Sequence, residues 1–304
     1  MSIFFLVLGL LLAAVGGERF VRGSVGLASW LRVPAGIVGA TVAAFATSSP
    51  ELTVGVLSAL NDRSDLAFGD ATGSNMVNLG VVLGIALVAG GVFASWIQVR
   101  REVLGFIGAL LILAVSSVDG RIGRAEATVI TLIFVGWLTW VVRDARRERS
   151  EAGILGDIGR TRIVVDVFVG IALLVVAGRL IVIAAKDIGE SLGWSQFLVG
   201  SVIVALGTST PELVTTLIAL KRGHVGVGIG TVLGSNIFNS LLIVGIAGLI
   251  SPIEVEWRPS LIALCGALIA TLLIIPRRNR GFTRTMGFRL IAVYAIYVVA
   301  LFIA

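Results

Sequence analysis

The sequence predicts an all-α membrane protein in which ten transmembrane helices form two inverted five-helix repeats. Three observations predict it. Hydrophobic residues make up 57% of the 304 residues and charged residues 14%, with a mean hydropathy of +1.04. A soluble domain carries about 25% charged residues. Ten apolar runs of membrane-crossing length lie between Arg-, Gly- and Pro-rich breaks, where a spanning helix needs about 20 mostly apolar residues. The two halves also repeat the same polar motifs at a constant spacing. This composition excludes an ordinary soluble enzyme, a disordered chain and a collagen-like chain. The single cysteine, Cys265, excludes a disulfide framework and a Cys-based metal site.

The runs lie at 2–28, 34–60, 66–92, 101–117, 124–142, 162–190, 196–219, 226–250, 259–275 and 285–303. The first has no positive residues ahead of its apolar stretch and no small-x-small cleavage site, so it reads as helix 1 rather than a leader. It ends before Arg32. The second ends before Arg63, the third before Arg100 and Arg101, the fourth before Arg121 and the fifth before Arg143. The sixth begins at Arg162, and the seventh closes on Lys221 and Arg222. The eighth ends before Arg258, the ninth before Arg277 and Arg278, and the tenth follows Arg284. None alternates with period two, which excludes a membrane β-barrel.

Basic residues crowd the loops after odd-numbered runs. The opposite loops hold only Arg63, Arg121, Arg124 and Arg258. The positive-inside rule therefore places the Arg-rich 143–162 loop in the cytoplasm and both termini outside, in a plasma or inner membrane. The net charge of +6 and pI near 10.6 are then a topology signal, not a nucleic-acid footprint. The expected surroundings are membrane lipid, with no obligate protein partner implied. Trp30, Trp96, Trp194 and Trp257 fall near run ends, as an aromatic belt requires.

The internal repeat is the strongest signal. Residues 39–52 read GATVAAFATSSPEL and residues 200–213 read GSVIVALGTSTPEL. Residues 69–84 read GDATGSNMVNLGVVLG and residues 230–245 read GTVLGSNIFNSLLIVG. Glu51 and Glu212 are 161 positions apart, as are Asn78 and Asn239. Each unit holds five runs, an odd number, so the second copy enters the membrane upside down, the arrangement of secondary transporters with a site near the midplane. The expected division is a first repeat at 1–142, a charged linker at 143–161 and a second repeat at 162–304.

The repeated motifs carry oxygen chemistry. Glu51 and Glu212 sit mid-run, where a carboxylate costs at least a few kcal/mol unless paired or solvated. Neither motif contains a Lys or Arg, so the missing partner is read as a transported cation. Thr47, Ser48, Thr208 and Ser209 place hydroxyls three or four residues earlier, on the same helix face. Pro50 and Pro211 break the helical bonding pattern and free carbonyls near Ala46 and Gly207 to face an ion. Ser74 with Asn78, and Ser235 with Asn239, are spaced i, i+4. Gly69, Gly73, Gly230 and Gly234 form G-x-x-x-G pairs that pack these helices closely. All donors are hard oxygens, which suits Ca²⁺ or Na⁺. The two carboxylates balance one Ca²⁺ or two Na⁺.

At TS-x-PEL and GSN-x-x-N, present twice, the sequence resembles the cation/calcium exchanger superfamily and, within it, the sodium/calcium exchangers. The resemblance covers essentially the whole chain. It implies electrogenic exchange of Na⁺ for Ca²⁺ by alternating access, with helices 1 and 6 sliding as a unit against the rest. It also implies ion ligands at Ala44, Thr47, Ser48, Glu51, Ser74, Asn78, Ala205, Thr208, Ser209, Glu212, Ser235 and Asn239, the two alanines through backbone carbonyls. The transported ions are substrates, and no cofactor is expected. Asn239 stands where potassium-dependent members carry Asp. The GN-x-x-E signature of cation/proton exchangers is absent, which lowers H⁺/Ca²⁺ exchange as the alternative. A cation channel is the other alternative. The large regulatory loop of animal exchangers is missing. No paired-Asp, HExxH or Ser–His set is present, so an enzyme is not expected.

Other polar residues have simpler expected roles. Asp70 is expected to cap the start of helix 3. Glu18 and Arg22 are expected to form a buried pair, and Lys186, Asp187 and Glu190 to be interfacial anchors. His224 is expected to be solvated beside Lys221 and Arg222.

Overall fold

The structure, a computed structural model, describes residues 2–90, 96–147, 159–191, 202, 205–275 and 281–303. Its helices are α1 (Ser2–Leu31), α2 (Ala35–Thr47), α3 (Ser49–Leu60), α4 (Ser64–Ala89), α5 (Trp96–Ser116) and α6 (Arg124–Arg147). There follow α7 (Arg160–Ser191), α8 (Ala205–Thr208), α9 (Thr210–Lys221), α10 (Val225–Ile250), α11 (Trp257–Leu273) and α12 (Arg284–Ile303). The described part of every apolar run lies on this helical set. Runs two and seven are each broken, into α2–α3 and α8–α9. The start of run seven and residues 148–158 of the linker lie outside the described residues.

Among the described residues, α4, α10, α12 and Arg124–Ala145 of α6 are each long and apolar enough to cross a membrane, and α2–α3 makes a fifth if its 47° bend lies within one span. α5 contains Arg100, Arg101 and Glu102, and α11 has 17 residues.

Burial sorts the helices into centre and periphery. The apolar windows of α4 and α10 are 83% and 78% buried, those of α6 and α12 only 28% and 22%. Peripheral faces expose Leu132, Trp140, Ile296 and Phe302, the side chains that a helix turns toward lipid. Both central helices widen into a π-helical turn, at Asn78–Leu83 and Phe238–Ile243. A further such turn occupies Gly39–Ala43 in α2.

α1 and α7 pair along much of their length. A Cβ on Gly170 would lie 2.6 Å from the Phe20 nitrogen, and one on Gly23 2.7 Å from the Val167 nitrogen. Only glycine lets two helix backbones come so close.

Contacts between loops fall into two groups. In one, the two-residue strands β1 (Arg121–Ile122) and β2 (Ile253–Glu254) pair antiparallel, with Arg121 opposite Glu254. This small sheet was not foreseen, being too short to leave a sequence pattern. Next to it, Ser251 donates to Asp62 at 3.3 Å, and the Arg124 guanidinium donates to the carbonyls of Leu249 and Ile250. In the other group, Arg101 pairs with Asp144 at 3.1 Å and the Arg160 guanidinium lies 5.7 Å from the Trp30 ring centre.

The Glu18–Arg22 pair is present but not buried. The two groups are 3.9 Å apart and the side chains are 49% and 35% exposed. They belong to a wider set, in which Arg22 also faces Asp166 of α7 and Arg222 donates to Glu18. The residue spacing showed the i, i+4 pair but not the opening of this face toward the loop after α9. Trp30 and Trp257 are exposed at helix ends, as expected. Trp194 and the side chains of Lys186, Asp187 and Glu190 lie outside the described residues. His224 precedes α10 and is partly exposed. Burial, then Arg222, holds its imidazole below the ordinary value, so it adds no charge to this loop near neutral pH.

Candidate cation site

Two matched helix breaks build the centre of the molecule. The chain leaves α2 through Ser48 (φ −81°, ψ 9°) and leaves α8 through Ser209 (φ −81°, ψ 6°). Pro50 and Pro211 explain the breaks. Neither has a backbone N–H to donate into a continuous helix, but both fit the first turn of a new one. Each break therefore starts a helix in which the glutamate occupies the first turn, Glu51 in α3 and Glu212 in α9. There the unpaired N–H groups and helix dipole favour a carboxylate.

The two halves bond reciprocally. Ser48 Oγ donates to Glu212 Oε1 at 3.1 Å, and Ser209 Oγ donates to Glu51 Oε1 at 3.3 Å. Ser235 Oγ adds a second donor to Glu212 Oε1 at 3.1 Å. Thr47 Oγ1 lies 3.4 Å from Ser235 Oγ, and Thr208 Oγ1 donates to the Ala205 carbonyl at 3.3 Å. The Ala44 carbonyl accepts the Ser48 N–H at 2.9 Å and lies 3.4 Å from Ser235 Oγ. The Ala205 carbonyl likewise accepts the Ser209 N–H at 3.0 Å. All of these residues are buried.

α4 and α10 bring the remaining donors. Ser74, Asn78, Ser235 and Asn239 are fully buried. The close approach of α10 to α2 rests on Gly234, where a Cβ would lie 2.6 Å from the Ala40 carbonyl and 2.8 Å from the Ala44 Cβ. Asn78 Nδ2 donates to Asn236 Oδ1 at 3.0 Å, and Asn75 Nδ2 donates to Ser240 Oγ at 2.8 Å. The first bond occupies the donor end of the Asn78 amide and leaves its oxygen free.

Several buried oxygens have no partner: Glu51 Oε2, Glu212 Oε2, Ser74 Oγ, Asn78 Oδ1 and Asn239 Oδ1. An unsatisfied buried polar group costs roughly 1–3 kcal/mol, more when charged. Among the described residues no Arg or Lys pairs with either glutamate, and no three His, Cys, Asp or Glu side chains gather. What converges is two carboxylates and neutral oxygens, a set that a hard cation satisfies.

The profile of the family described as sodium/calcium exchanger protein matches residues 1–143 and 163–303. The chain belongs to the sodium/calcium exchanger family. It is 30% identical to the inner membrane protein YrbG of Escherichia coli over 83% of this chain and 80% of that one. It is 25% identical to the sodium/calcium exchanger MaX1 of Methanosarcina acetivorans over 98% and 97%. Its structure resembles that of the sodium/calcium exchanger from Methanococcus jannaschii, with a TM-score of 0.83, 26% identity and coverage of 98% and 97%. The chain is thus an integral membrane protein of a cation/Ca²⁺ exchanger family.

Within this exchanger, the carbonyl freed near Pro50 at Ala46 accepts a hydrogen bond from Ser49 Oγ at 2.8 Å. One expectation changes. Asp70 is not a helix cap. α4 begins at Ser64, so Asp70 lies in its second turn and is 4% exposed. Sequence reasoning also missed three exchanger residues, Asn75, Asn236 and Ser240. Both asparagines lie in the repeated GSN, but their cross-helix role depends on partners far away in sequence.

Proposed function

We propose that this chain is a secondary antiporter that exchanges Na⁺ for Ca²⁺ by alternating access, electrogenically, across a plasma or inner membrane. The observation that carries it is the reciprocal Ser48–Glu212 and Ser209–Glu51 pairing around two fully buried carboxylates that lack a cationic partner among the described residues. Glu51 and Glu212 would be shared between Ca²⁺ and Na⁺. Thr47, Ser48, Thr208, Ser209, Ser74, Asn78, Ser235 and Asn239 would supply neutral oxygens, with the carbonyls of Ala44 and Ala205. The family membership, and relatives named for sodium/calcium exchange, support the choice of ions.

The same pairing supports two inverted repeats, 1–142 and 162–304, joined by 143–161. When residue i of one copy bonds j of the other and the reverse also holds, the copies are related by a two-fold axis. Loop contacts support ten crossings. Asp62–Ser251 and Arg121–Glu254 join loops that follow even-numbered runs. Arg160–Trp30 and Arg101–Asp144 join segments at odd-numbered boundaries. That is the parity a chain crossing ten times produces, with both termini outside by the basic-residue count. The close α1–α7 pairing supports movement of these helices as one body against the site.

The test is ⁴⁵Ca²⁺ uptake into vesicles preloaded with Na⁺. An outward Na⁺ gradient at fixed pH should drive uptake, and a pH gradient alone should not. Glu51→Gln and Glu212→Gln should each reduce uptake to background. Uptake driven by pH but not by Na⁺ would falsify Na⁺ coupling, and full activity in either variant would displace the site.

A further inference from the structure

The charges on α1 reach two different neighbours. Arg19 and Arg22 face Asp166 of α7 at 3.7 and 3.8 Å, so these pairs stay inside the closely packed α1–α7 unit. Glu18, on the same stretch of α1, lies 3.9 Å from Arg22 and also accepts from Arg222, the residue that closes α9. α9 carries Glu212 in its first turn. Among the described residues, Glu18–Arg222 is the ion pair that ties the α1–α7 unit to a helix bearing a central glutamate. It closes a packed seam. A Cβ on Gly17 would lie 3.5 Å from the Val214 Cβ and 3.0 Å from Ile218 Cδ1, and Val21 packs with Ala219.

The matching face of the other half is open. The positions 161 residues before Val214 and Ile218 are Thr53 and Leu57 of α3, both exposed, Leu57 by 53%. The positions that match Glu18 and Arg222 are Arg179 and Asn61, a cation and a neutral amide that cannot form an ion pair. Two inverted repeats of identical sequence would favour neither access state, and a contact that only one half can make tips the balance.

We propose that the Glu18–Arg222 ion pair is a latch that holds α1 on α9 and biases the exchanger toward the access state in which α1 covers this face of α9. This rests on the alternating-access reading, in which α1 and α7 move together against the site. Release of the latch frees the α1–α7 unit without breaking the Asp166 pairs that hold its two helices together.

The experiment measures how fast a disulfide forms under a mild oxidant between Gly17→Cys and Val214→Cys in the full chain, in vesicles and in a Cys265→Ser background. A Cβ separation of 3.5 Å is within disulfide reach, so the rate reports how often α1 lies on α9. Glu18→Gln, Arg222→Gln and the two together should each slow it roughly two- to fivefold, the scale of a half-exposed ion pair. The double variant should be no slower than the singles, since one interaction is lost in all three. Arg222→Lys keeps the charge and should oxidise at the unaltered rate, and Glu18→Gln carries the test if Arg222→Gln does not fold. Unchanged rates in the Gln variants, or effects that multiply in the double variant, overturn the latch. The oxidised chain should lose Na⁺-driven ⁴⁵Ca²⁺ uptake and regain it on reduction. Full uptake by the oxidised chain fails the moving-α1 reading itself, and shows it separately from the latch.

Discussion

Asn75 and Asn236 occupy the same place in the repeat, yet their donor groups differ. Asn75 Nδ2 reaches Ser240 Oγ at 2.8 Å, whereas Asn236 Nδ2 has no partner. The cause is one substitution between halves: the position that matches Ser240 is Leu79, which has no acceptor. Asn236 instead spends its oxygen on Asn78 Nδ2, which leaves Asn78 Oδ1 for the site. Ser240→Ala should strand the buried Asn75 donor and cost about 1–3 kcal/mol. The drop should appear as a lower unfolding temperature in detergent, while Na⁺-driven ⁴⁵Ca²⁺ uptake at low temperature persists. An unchanged unfolding temperature would show that the bond carries no net stability.

At the scale of elements, the site is made by helices that stop and helices that touch. The breaks at Ser48 and Ser209 put each glutamate at a helix start, and α10 presses against α2 where Gly234 has no side chain. Gly234→Ala should push α10 off α2, pull Ser235 from Glu212 and cost about 1–3 kcal/mol, the usual scale of overpacking. Transport and thermal stability should both fall. Gly136→Ala is the matched control, since its Cβ would meet nothing within 4 Å. A helical Gly-to-Ala change there should be neutral or stabilising by roughly 0.5–1 kcal/mol. Equal behaviour of the two variants would mean that the α2–α10 contact does not position the site.

At the scale of the molecule, the proposed ten-crossing topology predicts which loops face outward. A Cys265→Ser background carrying Asp119→Cys should react with a membrane-impermeant maleimide on intact cells. The same background with Arg143→Cys should react only after permeabilisation. The reverse labelling would invert the orientation while leaving the site intact. The sequence already displayed much of this level. The described parts of the apolar runs match helical elements because hydropathy and helix breakers act locally, and Pro50 and Pro211 announced their breaks for the same reason. The site was legible only in outline. Spacing showed a freed carbonyl at Ala46 but not that the Ser49 hydroxyl swings back to it. Asp70 was expected at a helix start, but α4 begins six residues earlier, at Ser64.

By itself the sequence determined the membrane environment, the repeat, the two costly carboxylates and the all-oxygen character of the donors, because composition, period and offset are properties of the chain. Only the tertiary structure decided which oxygens are left without partners. Whether a hydroxyl or amide oxygen stays free depends on neighbours 158 and 165 residues away, as at Asn78–Asn236 and Asn75–Ser240. It also decided that Asp70 is buried, with no ion pair among the described residues. Residue type and spacing allow both a cap and a buried acid at that position, and packing chose the buried acid.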